Sequence, residues 1–229
     1  MDSSHYKTKL LIAETAVRQM LSVGYDKVRV LDIAQEAGLN KNSFYYHFSS
    51  REEVVRWLLR YDIARMLTEA FEEEYLVPVG PGADLYPNLP YYVRIPLGAR
   101  MIDQGAFMRS VVAALRSRQA FYTEVFLHEN TFSLIAYMEK LYRPLFAQDV
   151  EHIAAGRYLP EKTKAFLVEY FLKAFMGMVK HMVTISELSD GLMDEDLNPF
   201  WNMGMESLSQ AIRAHPFNVS ILDQITSLP

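Results

Sequence analysis

The sequence predicts an all-α protein, with a small helical head at the N-terminus and a larger helical bundle behind it. Three observations carry this. Apolar residues recur at helical spacing along most of the 229-residue chain, and no strand-like alternation of any length interrupts them. Half of the residues are hydrophobic and 22% are charged, the balance of a chain that buries a core rather than of a disordered or fibrous one. The net charge of −5 is unevenly spread: residues 1–51 carry seven Lys/Arg against five Asp/Glu, and the other 178 carry 16 against 23. A slightly basic head therefore precedes an acidic body.

The first helix is expected over Lys7 to Leu21, where Leu10, Leu11, Ala13, Ala16, Val17, Met20 and Leu21 keep helical spacing and Gly24 follows as a stop. In VRVLDIAQEAGLNKNSFYYHF, Val30, Ile33, Ala34 and Ala37 form one apolar stripe, and Phe44 and Phe48 form a second. Gly38 stands between them, so two short helices joined by a tight turn result. Asn40 can cap the second through its side-chain oxygen, and Ser50 with Glu53 makes a capping box that opens a fourth helix. That helix runs through REEVVRWLLRYDIARMLTEAFEEE, with Val54, Trp57, Leu58, Tyr61, Ala64 and Leu67 along one side.

Residues 78–98 contain five of the ten prolines and three glycines, which no regular helix tolerates. A long loop is expected there. Further helices follow at roughly 99–118, 120–142, 161–188 and 199–214, with breaks near Pro144, Pro160, Gly191 and Pro216. The expected division is a head over 1–50 and a body over 51–229, within which 51–75 connects the two and 76–98 is the Pro/Gly-rich loop.

Several classes of function are excluded early. The absence of cysteine removes disulfides, thiolate nucleophiles and cysteine-ligated metals. The six histidines are scattered without HxxxH or HExxH spacing, so neither a metal nor a cofactor is expected. No GxSxG, phosphate loop or dinucleotide fingerprint is present, which argues against an enzyme. MDSSHYKTK lacks the apolar core of a signal peptide, and no run of about 18 apolar residues occurs, so a cytoplasmic protein with no membrane partner is expected. The acids Glu72–Glu74 and Asp194–Asp196 read as solvated helix ends.

The segment from Ile33 to Phe48 meets the steric demands of a DNA-reading helix-turn-helix. Ala34 is small where the helices cross, Gly38 permits the turn, and Phe44 anchors the second helix. With Phe44 and Phe48 facing inward, Lys41, Asn42, Ser43, Tyr45, Tyr46 and His47 are left mainly on outer or flanking faces. Lys and Asn hydrogen-bond base edges, Ser serves bases or backbone, and Tyr and His donate to phosphate oxygens. Arg51, opening the next helix, is a further candidate phosphate contact.

The run GYDKVRVLDIAQEAGLNKNSFYYHFSSREEVV closely resembles the N-terminal DNA-binding domain of the TetR family of transcriptional regulators, over roughly residues 7–60. The resemblance implies a three-helix head with a recognition helix at about 40–47, a fourth helix leading to an all-α regulatory domain, and palindromic operators bound by homodimers. Carried over by position, DNA contacts fall on Arg29 and Val30 as well as on Lys41, Asn42, Ser43, Tyr45, Tyr46, His47 and Arg51. The family usually has threonine where Arg29 stands. Arginine cannot cap a helix by accepting an amide hydrogen bond, so a long-reaching phosphate contact is expected of Arg29, with Asp32 compensating through the helix dipole. The segment AFLVEYFLKAFMGMVKHMV is similar in character to the family's penultimate helix, which implies a homodimer formed through the last two helices.

The body is rich in methionine and aromatic residues, and Met101, Phe107, Met138, Phe171, Phe175 and Met178 are candidates for lining a pocket for a small apolar or amphipathic ligand. The same stripe reads equally well as packed core. The expectation is a ligand-responsive repressor that binds double-stranded operator DNA; the alternative is a constitutive DNA-binding or adaptor protein whose body serves only dimerisation or partner contact.

Overall fold

The computed structural model describes residues 4–79, 86, 89–98, 101–128, 134–154, 158–184 and 210. These residues form an all-α chain. The head consists of α1 (Ser4–Val23), α2 (Val30–Glu36) and α3 (Lys41–His47), with a 3-10 turn at Tyr25–Lys27 between α1 and α2. The long α4 (Arg51–Ala70) leads into the body, where α5 (Gln104–Arg116), α6 (Gln119–Leu127), α7 (Leu134–Ala154) and α8 (Glu161–Thr184) follow. α7 packs along α8 and α4 along α5, while α6 lies against both α8 and α1. A single hydrophobic core runs from Ile12 and Phe44 in the head, through Trp57 and Leu67 on α4, to Phe175 and Val183 on α8.

Gly38 makes the turn between α2 and α3. Its φ of 69° lies in the left-handed region, and space is open where a Cβ would stand, so conformation rather than contact calls for glycine there. Ala34, fully buried, accepts from the Leu39 amide at 2.8 Å and closes the turn.

The Pro-rich segment differs from the expected bare loop. β1 (Leu76–Val77) pairs antiparallel with β2 (Tyr92–Val93), and β3 (Pro96–Gly98) pairs with β4 (Met101–Ile102). Strands of two or three residues are too short to show alternation in sequence. Arg60, buried in α4, helps hold this segment by donating to the carbonyls of Tyr86, Leu89 and Pro90 at 3.4, 2.8 and 3.2 Å.

Three helix boundaries also differ. Pro144 does not break the chain but lies inside α7. A proline removes one N–H and crowds the preceding turn, yet this one is exposed while Leu141, Tyr142, Leu145 and Phe146 beside it are buried; their packing outweighs the lost bond. The helix expected over 120–142 is divided, α6 ending at Leu127 and α7 starting at Leu134. Glu73–Tyr75 form a 3-10 turn beyond α4 rather than its last turn. The helix expected at 199–214, the last four residues of that at 161–188 and the acids at 194–196 lie outside the described residues, residue 210 excepted.

Candidate DNA-binding surface

α3 is seven residues long, too short to hold its shape unaided. It is fixed at both ends. The Ser43 amide donates to Asn40 Oδ1 at 2.8 Å, as the sequence predicts, and Phe44 and Phe48 are fully buried, with Phe48 edge-on to Trp57 of α4. The start of α4 is capped in turn: Ser50 Oγ accepts from the Glu53 amide at 3.2 Å, and Glu53 accepts from the Ser49 amide. The reciprocal bond thus reaches one residue further back than in a standard capping box.

On this frame Lys41, Asn42, Tyr45 and Tyr46 point outward, and Ser43 and His47 are half-buried on the flanks. Tyr46 is 77% exposed, with Tyr45 beside it at 47%. Lys41 Nζ lies 5.8 Å from the Tyr45 ring, so a cation and a phenol group share one face. Val30 opens α2 and packs partly against the core. His47 meets His5 of α1, their rings 4.7 Å apart, and burial, followed by the nearby His5 and Lys9, holds the His47 imidazole below its ordinary range.

Two of the arginines find partners within the chain. Arg29 is exposed but forms a two-point ion pair with Asp32 at 2.9 and 3.0 Å, which also holds the Asp32 carboxyl below its usual range. Asp32 therefore pairs with Arg29, and α2 has no side-chain cap. Arg51 turns inward. Its side chain is only 16% exposed, and Nη1 donates to the carbonyls of Tyr25, Asp26 and Val28 at 2.8, 3.1 and 2.9 Å, while the guanidinium covers the Tyr25 ring. It thereby braces the turn between α1 and α2.

The head is tied to the body by polar bonds that the sequence reading did not find. Arg118, between α5 and α6, donates to Glu14 of α1 at 2.9 Å and to buried Asp62 of α4 at 2.9 Å, and the Tyr122 hydroxyl donates to the same carboxylate at 2.8 Å. Burial pushes the Asp62 carboxyl up, against the pull of Arg118. At the far end of α6, Glu124 accepts from the Tyr25 amide at 3.0 Å, and the His128 ring lies between Asp26 at 2.9 Å and Glu124 at 3.2 Å. Apart from His128 and Glu124, four residues apart, the partners lie 56 to 104 residues from each other, beyond any local pattern. One signal was available: Arg60 and Asp62 interrupt the apolar run of α4 at positions that turn out to be buried.

Among the pocket candidates, Phe107 and Phe175 come together, 5.5 Å apart, and both touch Tyr142. Met138 is fully buried, Phe171 and Met178 are half-buried on α8, and Met101 lies in β4. A surface cavity of about 470 Å³ lies beside Glu74, Tyr75, Arg94, His152 and Ile102 of β4, the neighbour of Met101. No group of His, Asp and Glu that would hold a metal is found among the described residues. Nor is any helix among them long and apolar enough to cross a membrane.

Comparison with known proteins matches this architecture at both ends. Residues 12–57 match a family model described as bacterial regulatory proteins of the tetR family, and residues 106–184 match one described as a transcriptional regulator C-terminal region. Together these span more than half of the chain, in the order head then body. The chain belongs to the TetR family. Like other TetR-family members it is a transcriptional regulator with an N-terminal helix-turn-helix. It is similar to the HTH-type dhaKLM operon transcriptional activator DhaS of Lactococcus lactis subsp. lactis strain IL1403, at 21% identity over 197 residues that cover 83% of this chain and 87% of the relative. A solved structure, dihydroxyacetone kinase operon activator DhaS, shares the fold with a TM-score of 0.50 at 16% identity, over 91% of this chain and 98% of that one.

Proposed function

We propose that this TetR-family regulator binds a palindromic duplex as a homodimer, reading bases through Lys41, Asn42, Ser43, Tyr45, Tyr46 and His47. The observation that carries the reading is α3 itself: a short helix fixed by Asn40, Phe44 and Phe48, with Tyr46 held out to 77% exposure beside Tyr45 and Lys41. Val30 and Arg29 border this surface from α2; Arg29 reaches a phosphate on releasing Asp32. In a homodimer two such helices enter successive major grooves about 34 to 36 Å apart.

Dimerisation is supported by α8, where Phe166 and Tyr170, one turn apart, are 66% and 59% exposed and stack on each other. Such a face suits a second copy of the chain. The region proposed for a small apolar or amphipathic ligand is the aromatic cluster of Phe107, Tyr142 and Phe175, with Met138, Phe171, Met178 and Met101 as further candidates. α5 and α8 both pack on α6, and α6 is bonded to the head at each of its ends, so a ligand that shifts these helices changes the spacing of the heads.

Repression is the first reading. The activator named DhaS, similar along most of the chain, favours activation as the second reading. The test is selection of bound sequences from random duplex DNA with the purified protein, with Tyr46→Ala as control. A palindrome enriched by the parent and lost in the variant supports dimeric base readout; its position relative to a promoter in a reporter strain separates repressor from activator. A helical module that does not bind DNA would enrich nothing.

A further inference from the structure

The reading of α3 uses its outward face and leaves unexplained what α1 does beside it. His5, exposed in the first turn of α1, sets its ring 4.7 Å from His47 and 5.9 Å edge-on from Tyr46, and Tyr46 and His47 are themselves 5.0 Å apart at a right angle. Three rings from two helices thus form one cluster at the C-terminal end of the recognition helix. Nδ1 of His47 is buried and has no hydrogen-bond partner among the described residues, so one side of that imidazole is held against protein without a polar tie. Lys9, one turn after His5 on α1, lies over the rings of Phe48, Trp57 and Tyr86, adding a positive charge behind the cluster.

We propose that His5 belongs to the DNA-reading surface and forms with His47 a proton-taking pair, so that the chain binds duplex DNA with uptake of protons and more tightly as the pH falls. The inference rests on the reading of α3 as the DNA-contacting helix. The groups facing the pair are His5 and Lys9 from α1 and Tyr46 from α3; Glu53 of α4 acts on Lys9. None of those facing His47 among the described residues is an acid, so none of them favours a charged imidazole there. A DNA phosphate brought against the cluster supplies the missing negative charge and favours the imidazolium. The bound state then holds protons that the free state lacks. Affinity rises as the pH falls towards the free-state value of His47, and the gain is lost as the pH rises through the bound-state value.

The test measures binding of a fluorescein-labelled duplex, recovered by selection from random DNA, between about pH 6 and about pH 8 at constant salt. One proton taken up corresponds to about a tenfold change in affinity per pH unit. The parent is expected to tighten by on the order of tenfold to a hundredfold across this range. His5→Phe keeps a ring against His47 and Tyr46 but cannot titrate, so its dependence on pH should be shallower, and the double variant with His47→Phe should be nearly flat. Thermal melts of each variant establish that the head is folded. In a second measurement, NMR titration of the imidazole C2 protons should show the pKa values of both rings rising when the duplex is added. A selected duplex bound equally well at both ends of the range, or a parent slope retained by the double variant, overturns the proposal while leaving the reading of α3 intact. Failure to enrich any duplex overturns both.

Discussion

At the scale of single residues, the recognition surface and its supports are chemically similar but play different roles. Tyr46 and Lys41 project from α3, so Tyr46→Ala or Lys41→Ala should cost about 1–3 kcal/mol at the selected site with little effect on stability, as measured by titrating the cognate and a scrambled duplex. Arg51→Ala should behave otherwise. It removes the donor shared by three carbonyls of the turn between α1 and α2, and leaving such groups unsatisfied costs about 1–3 kcal/mol. The expected result is a lowered melting temperature together with weaker binding to cognate and scrambled duplexes alike. A selective loss at the cognate site with an unchanged melt would return Arg51 to the role of a direct contact. Charge and position in the motif suggested a phosphate contact; the carbonyls that attract Arg51 come from residues 25 to 28 and are visible only once the chain has folded.

At the scale of the element, α2 and α3 are so short that their ends decide whether they form. Asn40→Ala removes the one side-chain cap of α3 and should cost about 1 kcal/mol of head stability, with a larger loss of DNA binding because α3 frays at the end that carries Lys41 and Asn42. Gly38→Ala puts a Cβ on a residue at φ 69° and should cost about 1–2 kcal/mol. Denaturant melts of the two variants measure both values. Each of these features is legible in the sequence because caps and turns depend on neighbours three or four residues away. Pro144 shows the opposite case: the local rule predicts a break, and burial of Leu141, Tyr142, Leu145 and Phe146 against the rest of the body keeps α7 whole.

At the scale of the molecule, α6 joins the body to the head at two points. Arg118, with Glu14, Asp62 and Tyr122, holds its N-terminal end, and Glu124 with His128 holds the other against Tyr25 and Asp26. Replacing Arg118 by Met leaves the Asp62 carboxylate buried without its cation and should cost about 3–5 kcal/mol. Asp62→Asn in the Arg118→Met background should recover part of this in a thermal melt, since an amide needs no counter-charge. If the double variant is no more stable than the single one, the pair does not act as a buried ion pair.

Helical periodicity, the two caps, the glycine turn and the aromatic anchors of α3 were all legible in the chain, because each arises from contacts within one or two helical turns. They sufficed for the all-α class, the helix-turn-helix and the outward face of the recognition helix. Tertiary structure alone decided the inward turn of Arg51, the short strands in the Pro-rich segment, the His5–His47 contact and the bonds through α6. Most of these join residues far apart in sequence, and a charged side chain carries no local mark of which distant carboxylate, carbonyl or ring it will meet. Burial then gives those meetings their energy: a carboxylate such as Asp62 must find Arg118 and Tyr122 once water is excluded, and which groups are available is settled by the packing of whole helices.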